Sequence, residues 1–156
     1  GIDARLIRIF NTYGPRMAFN DGRVVSNFVM QAIQDRPITI YGSGEQSRSF
    51  CYVADLIDGI VRAASVESFD SPMNLGNPKE FTMLELAETV MAVSKKQLEL
   101  VKKPLPADDP KRRCPDIGTA REALGFEPKV PLREGIAQTY ENFSERLRLV
   151  TKGLPA

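Results

Sequence analysis

The segment 41–55, with the sequence YGSGEQSRSFCYVAD, restricts the fold of this chain more than any other part of it. It lies between two apolar runs and places two glycines, an amide, a guanidinium and an acid at fixed intervals. Glycines let a backbone approach a ligand closely, and the planar guanidinium of Arg48 matches the geometry of a phosphate. The segment therefore predicts a loop and a short strand that bind a phosphorylated small molecule.

Strands and helices alternate on both sides of this segment, which predicts an α/β fold. Thr82 followed by Glu85 is a capping box, which begins a helix that extends to about Ser94. Apolar periodicity predicts further helices at residues 22–36, 53–65, 116–124 and 131–149. Strands are expected at residues 4–10, 38–40, 47–52, 71–75 and 98–101.

The segments between these elements carry turn and breaker residues. We expect turns at residues 11–15 and 76–78, and a long proline-rich loop at residues 102–115. The elements are irregularly spaced and do not complete a doubly wound set. The pattern therefore predicts a piece of such a fold with a smaller lobe appended to it.

Composition limits the classes of partner. A length of 156 residues suits one domain or part of a larger one. The net charge of +1 gives no overall field that would attract nucleic acid or an anionic membrane. The longest apolar run is far shorter than the roughly 20 residues that cross a bilayer. We therefore expect no nucleic-acid partner and no membrane partner for this chain.

The chain contains no histidine, which excludes Ser-His and Cys-His catalysis and most zinc sites. Its two cysteines, Cys51 and Cys114, do not have the spacing of metal ligands, so we expect free thiols, no metal and a reducing compartment. A cytoplasmic location is the expectation, with the secretory lumen left open.

Several segments together resemble the extended short-chain dehydrogenase/reductase family that acts on nucleotide sugars. They are residues 8–16, 41–55, 74–77 and 113–116. Within that family, residues 16–28 and 108–113 are most similar to the UDP-glucuronate decarboxylases. The resemblance implies the end of a Rossmann-type parallel sheet followed by the smaller nucleotide-sugar-binding lobe. It also implies an NAD-dependent enzyme that converts UDP-glucuronate to UDP-xylose and CO2.

Two motifs of that family have no counterpart here. Gly42-Ser-Gly44 has neither the spacing of the Rossmann glycine motif nor a helix directly after it. No tyrosine is followed four residues later by the lysine of the family's Tyr-x-x-x-Lys motif. We therefore expect residues 1–156 to be a C-terminal fragment that lacks the cofactor-binding Rossmann part. NAD would be bound mainly by that missing half, and the chain alone would be inactive.

The resemblance assigns substrate contacts to residues in two regions. It implies that Arg48, supported by Gln46, pairs with the diphosphate, and that Asn11 contacts the sugar-diphosphate. It also implies that Val25 and Phe28 form a shelf for the base and that Tyr41 closes over the uridine. The structural alternatives stay open: a surface arginine in a strand for Arg48, a turn-former for Asn11, and core packing for the residues of the shelf.

The resemblance also assigns three cofactor contacts and one catalytic group. Thr12, Ala18 and Arg23 match positions that contact the cofactor in decarboxylases, although solvated loop residues are the alternative. Arg113 matches an arginine that reaches the sugar carboxylate or takes part in the proton step after CO2 leaves. Arg112 is the candidate if the alignment is off by one residue. A basic loop that balances nearby aspartates is the structural alternative.

Two other functions remain possible from the sequence. The first is an epimerase or 4,6-dehydratase of the same fold, which would lack the preference of a decarboxylase for UDP-glucuronate over UDP-glucose. The second is a non-catalytic binding or association module. Loss of the Rossmann half would expose an apolar sheet face and edge. We therefore expect a homodimer or other association through that exposed sheet.

Overall fold

The computed structural model of this chain describes residues 4–67, 71–105 and 112–153. In chain order they form β1 Ile7–Ile9, β2 Thr12–Tyr13, α1 Val24–Ile33, β3 Ile38–Tyr41, β4 Ser47–Ser49, β5 Cys51–Tyr52, α2 Val53–Ser65, β6 Met73–Leu75, β7 Glu80–Thr82, α3 Met83–Ser94, β8 Leu100–Lys103, β9 Arg112–Arg113, α4 Gly118–Leu124 and α5 Leu132–Thr151. The expected α/β class is confirmed. Among these helices, none combines the length and the apolarity that crossing a bilayer requires.

The first part of the fold is a parallel strand pair covered by helices. β1 pairs with β6 in parallel, with Ile7 opposite Met73 and Ile9 opposite Leu75. Parallel neighbours need a crossover connection, and α2 lies within the connection between these two strands. A buried core packs against β6, and its members are Cys51, Leu56, Ala63, Met73, Leu75, Ile117, Ala120, Leu124 and Phe126.

The second part is a lobe in which α1, α3 and α5 pack together beside short strands. β3 pairs with β8 in parallel, and β4 lies between β7 and β9 in a three-stranded sheet. Its core includes Val25, Phe28, Val29, Leu86, Val90, Ile136 and Phe143. α3 begins as predicted, because the Thr82 hydroxyl accepts a hydrogen bond from the Glu85 amide at 3.1 Å and the Glu85 carboxylate accepts one from the Thr82 amide at 2.7 Å.

Three short strands lie where no strand was expected. β2 falls within the predicted turn at residues 11–15 and pairs with β5, and β9 falls within the predicted loop at residues 102–115. β7 pairs with β4 in antiparallel orientation. Each of these strands has only two or three residues, so its pairing depends on a partner distant in sequence and leaves no local periodicity to detect.

Candidate functional site

Two adjoining cavities lie beside the glycine loop, and most of the predicted site residues line them. Cavity A has a volume of about 420 Å³, and its lining includes Phe28, Tyr41, Gln46 and Arg48. Cavity B has a volume of about 350 Å³, and its lining includes Asn11, Thr12, Arg23, Val25, Arg48 and Arg113. Arg48 therefore lies where the two cavities meet.

Arg48 and Arg113 are brought together by strand pairing. Arg48 lies at the centre of β4, and its Cα pairs with that of Arg113 on β9. The Arg48 side chain is only 8% exposed, and its Nη1 donates to the Ser47 carbonyl oxygen at 2.7 Å. Paired strands lie about 4.8 Å apart, and two like charges directly opposite each other disfavour the sheet. Both arginines line cavity B.

The loop between β3 and β4 has backbone angles that require glycine at two positions. Gly42 and Gly44 have φ angles of 68° and 86°, in the region that residues with a Cβ rarely adopt. A Cβ on Gly44 would also lie 2.8 Å from the Leu84 side chain. Gln46 closes the loop, because its Nε2 donates to the Tyr41 carbonyl oxygen at 2.7 Å. Tyr41 itself is 44% exposed at the edge of cavity A.

The two apolar residues of the predicted shelf belong to the core and to the cavity walls at once. Val25 and Phe28 are buried in the main core, and they line cavity B and cavity A respectively. Core packing and ligand contact are therefore compatible at these positions. Burial also keeps the walls rigid, since packed side chains have few alternative rotamers.

Cavity A has a polar wall that the sequence interpretation missed. The Gln31 Nε2 donates to the Thr39 hydroxyl at 3.1 Å, and the Gln31 Oε1 accepts from the Thr39 amide at 3.2 Å. Lys103 also lines the cavity and pairs with Tyr41 across β3 and β8. The sequence signal for this wall was the alternation along β3. Ile38 and Ile40 are buried, so Thr39 between them faces away from the core.

Arg23 is held in place at the mouth of cavity B. Its Nε pairs with the Asp21 carboxylate at 2.7 Å, and its Nη1 donates to the Thr12 carbonyl oxygen at 3.2 Å. Burial acts to raise the pKa of Asp21, but hydrogen bonds from Ser26 and Arg23 and the charge of Arg23 outweigh it and lower that pKa. Ala18, the third predicted cofactor contact, is exposed and does not line either cavity.

Two tyrosines have surroundings that favour the neutral phenol: Tyr13, which lines cavity B, and Tyr52, whose ring packs against that of Tyr13. Burial raises the pKa of Tyr13 well above its usual range, and the nearby acidic groups, among them Cys51 and Asp55, raise it further. The pKa of Tyr52 is also raised, by burial and by the charges of Glu134 and Asp55. A tyrosine base needs a lowered pKa. Neither of these two side chains is therefore suited to begin a hydride transfer.

Asp55, the last residue of segment 41–55, connects two parts of the fold. α2 begins after Tyr52 without a side-chain cap, and Asp55 lies in the first turn of that helix. The Asp55 carboxylate accepts a hydrogen bond from the Val130 amide at 3.0 Å. It thus links α2 to the segment that precedes α5, and this link draws the two parts of the fold together.

A model of the NAD dependent epimerase/dehydratase family matches residues 1–76. UDP-glucuronic acid decarboxylase 1 of Arabidopsis thaliana is 53% identical over 147 residues, which are 94% of this chain and 34% of that protein. Over residues 1–76 the chain is therefore similar to the epimerase/dehydratase family. The resemblance to UDP-glucuronate decarboxylases that the motifs indicated is thereby confirmed. The chain spans between 33% and 44% of the length of the curated relatives it matches.

Solved structures of the epimerase/dehydratase family share this fold. UDP-glucuronic acid 4-epimerase from Bacillus cereus, in complex with UDP-glucuronic acid and NAD, superposes with a TM-score of 0.84 at 26% identity, over 90% of this chain and 45% of that one. UDP-glucose 4-epimerase from Thermotoga maritima, with UDP-glucose, has a TM-score of 0.84 at 30% identity, over 90% and 46% of the two chains. The expected similarity of this chain to part of a Rossmann-like fold is therefore confirmed.

Proposed function

We propose that this chain carries the UDP-sugar-binding half of the site of an NAD-dependent UDP-glucuronate decarboxylase, and that it is the C-terminal part of that longer enzyme. The observation that carries the proposal is that Arg48 and Arg113 lie opposite each other on the paired strands β4 and β9 and that both line cavity B. Two adjacent guanidinium groups suit a ligand that bears a diphosphate and a carboxylate. The similarity to the Arabidopsis decarboxylase supports that choice of ligand.

The two cavities suit the two ends of a UDP-sugar. Cavity A, with Phe28 and Tyr41, would take the uracil and ribose, because aromatic rings and apolar walls suit a flat base. Arg48 lies at the junction and would pair with the diphosphate. Cavity B would then take the glucuronate, with Asn11 and Arg113 in its lining. In this arrangement Val25, which was predicted to contact the base, would lie on the sugar side instead, because it lines cavity B.

The proposed reaction converts UDP-glucuronate to UDP-xylose and CO2. NAD, which we propose is held mainly by the rest of the enzyme, would supply the redox chemistry that makes C4 of the sugar a ketone and restores the alcohol at the end. With a ketone at C4, the C5–carboxylate bond breaks, its electron pair forms an enolate, and a proton then adds at C5. The guanidinium of Arg113 offers a planar fork of N–H donors, so it would hold the carboxylate and orient the water that protonates C5.

Thr12 and Arg23 fit an edge contact with a dinucleotide. The Arg23 guanidinium is fixed by Asp21 and by the Thr12 carbonyl oxygen at the wall of cavity B. A fixed cation suits an anionic group of the cofactor, but one guanidinium and one hydroxyl do not surround a pyrophosphate. Ala18, which is exposed, would contribute only if its backbone met the cofactor. We propose that NAD is bound mainly by the rest of the enzyme.

An activity assay on the full-length enzyme tests the proposal. UDP-glucuronate and NAD should yield UDP-xylose and CO2, and UDP-glucose should not be consumed. Arg48→Ala should weaken UDP-sugar binding by about 30- to 150-fold, since a charge-assisted hydrogen-bonded pair contributes about 2–3 kcal/mol. Arg36→Ala, at an exposed arginine outside both cavities, is the matched control and should bind like the wild type.

A second candidate is a 4-epimerase, favoured by the structural similarity to the Bacillus cereus enzyme. The same assay separates the two functions. An epimerase would convert UDP-glucuronate to its C4 epimer without release of CO2. That outcome would retain the UDP-sugar site and reject the decarboxylation.

We also propose that this chain associates through an apolar surface, either with another copy or with the rest of its own enzyme. Leu6 and Ile9, at β1, are 66% and 58% exposed, and Ile57 and Val61 on α2 are 51% and 58% exposed. Within the described residues, β1 pairs with β6 alone. A non-catalytic association module would use the same surface. We propose a cytoplasmic location for the protein, whichever of these functions it has.

A further inference from the structure

The segment 14–22 connects β2 to α1 and contributes Met17 and Gly22 to the lining of cavity B. It forms turns but no helix or strand, so regular backbone hydrogen bonding does not fix its path. Arg23, the proposed cofactor contact, follows it directly. The shape of cavity B therefore depends on whatever holds this segment in place.

The backbone of this segment includes one unfavourable conformation. Arg16 has a φ angle of 67°, in the left-handed region that is uncommon for residues other than glycine. Such conformations persist when the surrounding structure determines them. The Arg16 amide donates to the Asn142 side-chain oxygen on α5 at 3.0 Å. A side chain distant in sequence thus supports the conformation that the segment requires.

Arg146, one helical turn beyond Asn142, makes the second contact. Its Nη1 donates to the Met17 carbonyl oxygen at 2.9 Å. Its guanidinium lies 4.6 Å from the centre of the Phe19 ring, a cation–π contact. Phe19 in turn packs edge-to-face with Phe143 at 5.1 Å, and Phe143 is buried in the main core. The segment is therefore connected to the core through α5.

We propose that Arg146 is a positioning residue for cavity B, which fixes the wall formed by segment 14–22 without itself touching a ligand. Its functional meaning rests on the proposed function, but its structural effect does not. A lysine at this position would keep the charge and lose the planar guanidinium that both stacks on Phe19 and bonds Met17. Arg148 lies on the same helix and has no contact with the segment in the described structure, so it provides a matched control.

Hydrogen exchange on the full-length protein tests the structural effect. In Arg146→Ala, the amides of residues 16–22 should exchange at least about tenfold faster, while the buried amides of α1 and α5 keep their rates. Arg146→Lys should give a smaller increase, and Arg148→Ala should match the wild type. If the amides of residues 16–22 exchange at the wild-type rate in Arg146→Ala, the proposal is overturned.

A second variant covers the case in which Arg146→Ala disturbs the whole fold. Asn142→Ala removes only the acceptor of the Arg16 amide, so it should raise exchange within residues 16–22 alone. If Arg146→Ala raises exchange everywhere and Asn142→Ala changes nothing in this segment, the proposal is rejected.

Kinetics connect the same variants to the site. Arg146→Ala should raise the KM for UDP-glucuronate by about tenfold with a smaller change in kcat, because a loosened wall weakens ground-state and transition-state binding together. Arg146→Lys should recover part of that loss. If the wild type has no decarboxylase activity, the proposed function fails, but the exchange experiment still decides the role of Arg146.

Discussion

Gly135 shows how one residue in a helix is determined by a partner far away in sequence. It lies inside α5, where alanine would ordinarily be preferred by about 0.5–1 kcal/mol. A Cβ at this position, however, would lie 2.1 Å from the Tyr13 hydroxyl and 2.8 Å from the Tyr52 ring. Both tyrosines are buried, so neither can move aside freely.

Gly135→Ala should therefore lower the free energy of unfolding, because overpacking costs about 1–3 kcal/mol and exceeds the gain in helix propensity. Urea denaturation measures the change. Glu145→Ala, at an exposed position of the same helix, should stay within about 0.5 kcal/mol of the wild type. A Gly135→Ala variant as stable as the wild type would show that the space beside Tyr13 adapts.

The two cysteines should differ sharply in reactivity. Burial, together with the smaller effect of the Asp55 charge, raises the pKa of the Cys51 thiol to about 12. At pH 8 the reactive thiolate of Cys51 is thus on the order of one part in ten thousand. Cys114 is partly exposed. Iodoacetamide should label Cys114 in the native protein and reach Cys51 only after denaturation.

Mass spectrometry of alkylated peptides measures this difference. Cys114→Ser should give native protein that resists labelling, and denaturant should restore one labelled thiol. Rapid labelling of Cys51 in the native variant would mean that the core around α2 opens readily.

At the scale of elements, Asp21 organises the start of α1. Its carboxylate accepts hydrogen bonds from the Ser26 hydroxyl and the Arg23 amide, and it pairs with the Arg23 guanidinium. The lowered pKa means that the folded state favours the carboxylate. This stabilisation is fully present above the pKa of the unfolded chain, near 3.8, and is lost as the pH falls through the lower folded pKa.

Asp21→Asn should consequently destabilise the protein at pH 7 by about 0.5–1 kcal/mol, since the group is partly screened by solvent. The difference from the wild type should shrink toward zero in acid. Urea denaturation over a pH series measures it. Asp58→Asn, which removes an exposed pair with Arg62, should have little effect at any pH. If Asp21→Asn lowers the free energy of unfolding by the same amount at every pH, the effect comes from packing and not from the charge of Asp21.

The elements also show what the sequence could predict and what it could not. The helix expected at residues 53–65 is α2, Val53–Ser65, and the capping box of α3 is confirmed. Both signals are local, because they depend on periodicity and on residues three positions apart. The pairing of Arg48 with Arg113 and the hydrogen bonds between Gln31 and Thr39 depend on register between separate elements. A single sequence contains no direct record of that register.

At the scale of the whole molecule, the exposed apolar side chains of Leu6, Ile9, Ile57 and Val61 have a measurable consequence. Monomeric proteins rarely expose large contiguous apolar patches. The chain expressed alone should therefore self-associate, and the double variant Leu6→Lys, Ile9→Lys should shift it toward monomer. Sedimentation velocity over a concentration series measures both. A chain that stays monomeric throughout the series would contradict association through this surface.

Arg48 and Arg113 come from distant parts of the chain and become neighbours only when β4 and β9 pair. A peptide that copies residues 41–55 has the glycines and one arginine, but no second strand to bring the other cation alongside. Grafting this loop onto another scaffold should therefore transfer its shape without the proposed anion site. For protein engineering, the smallest transferable unit is the three-stranded sheet β7–β4–β9.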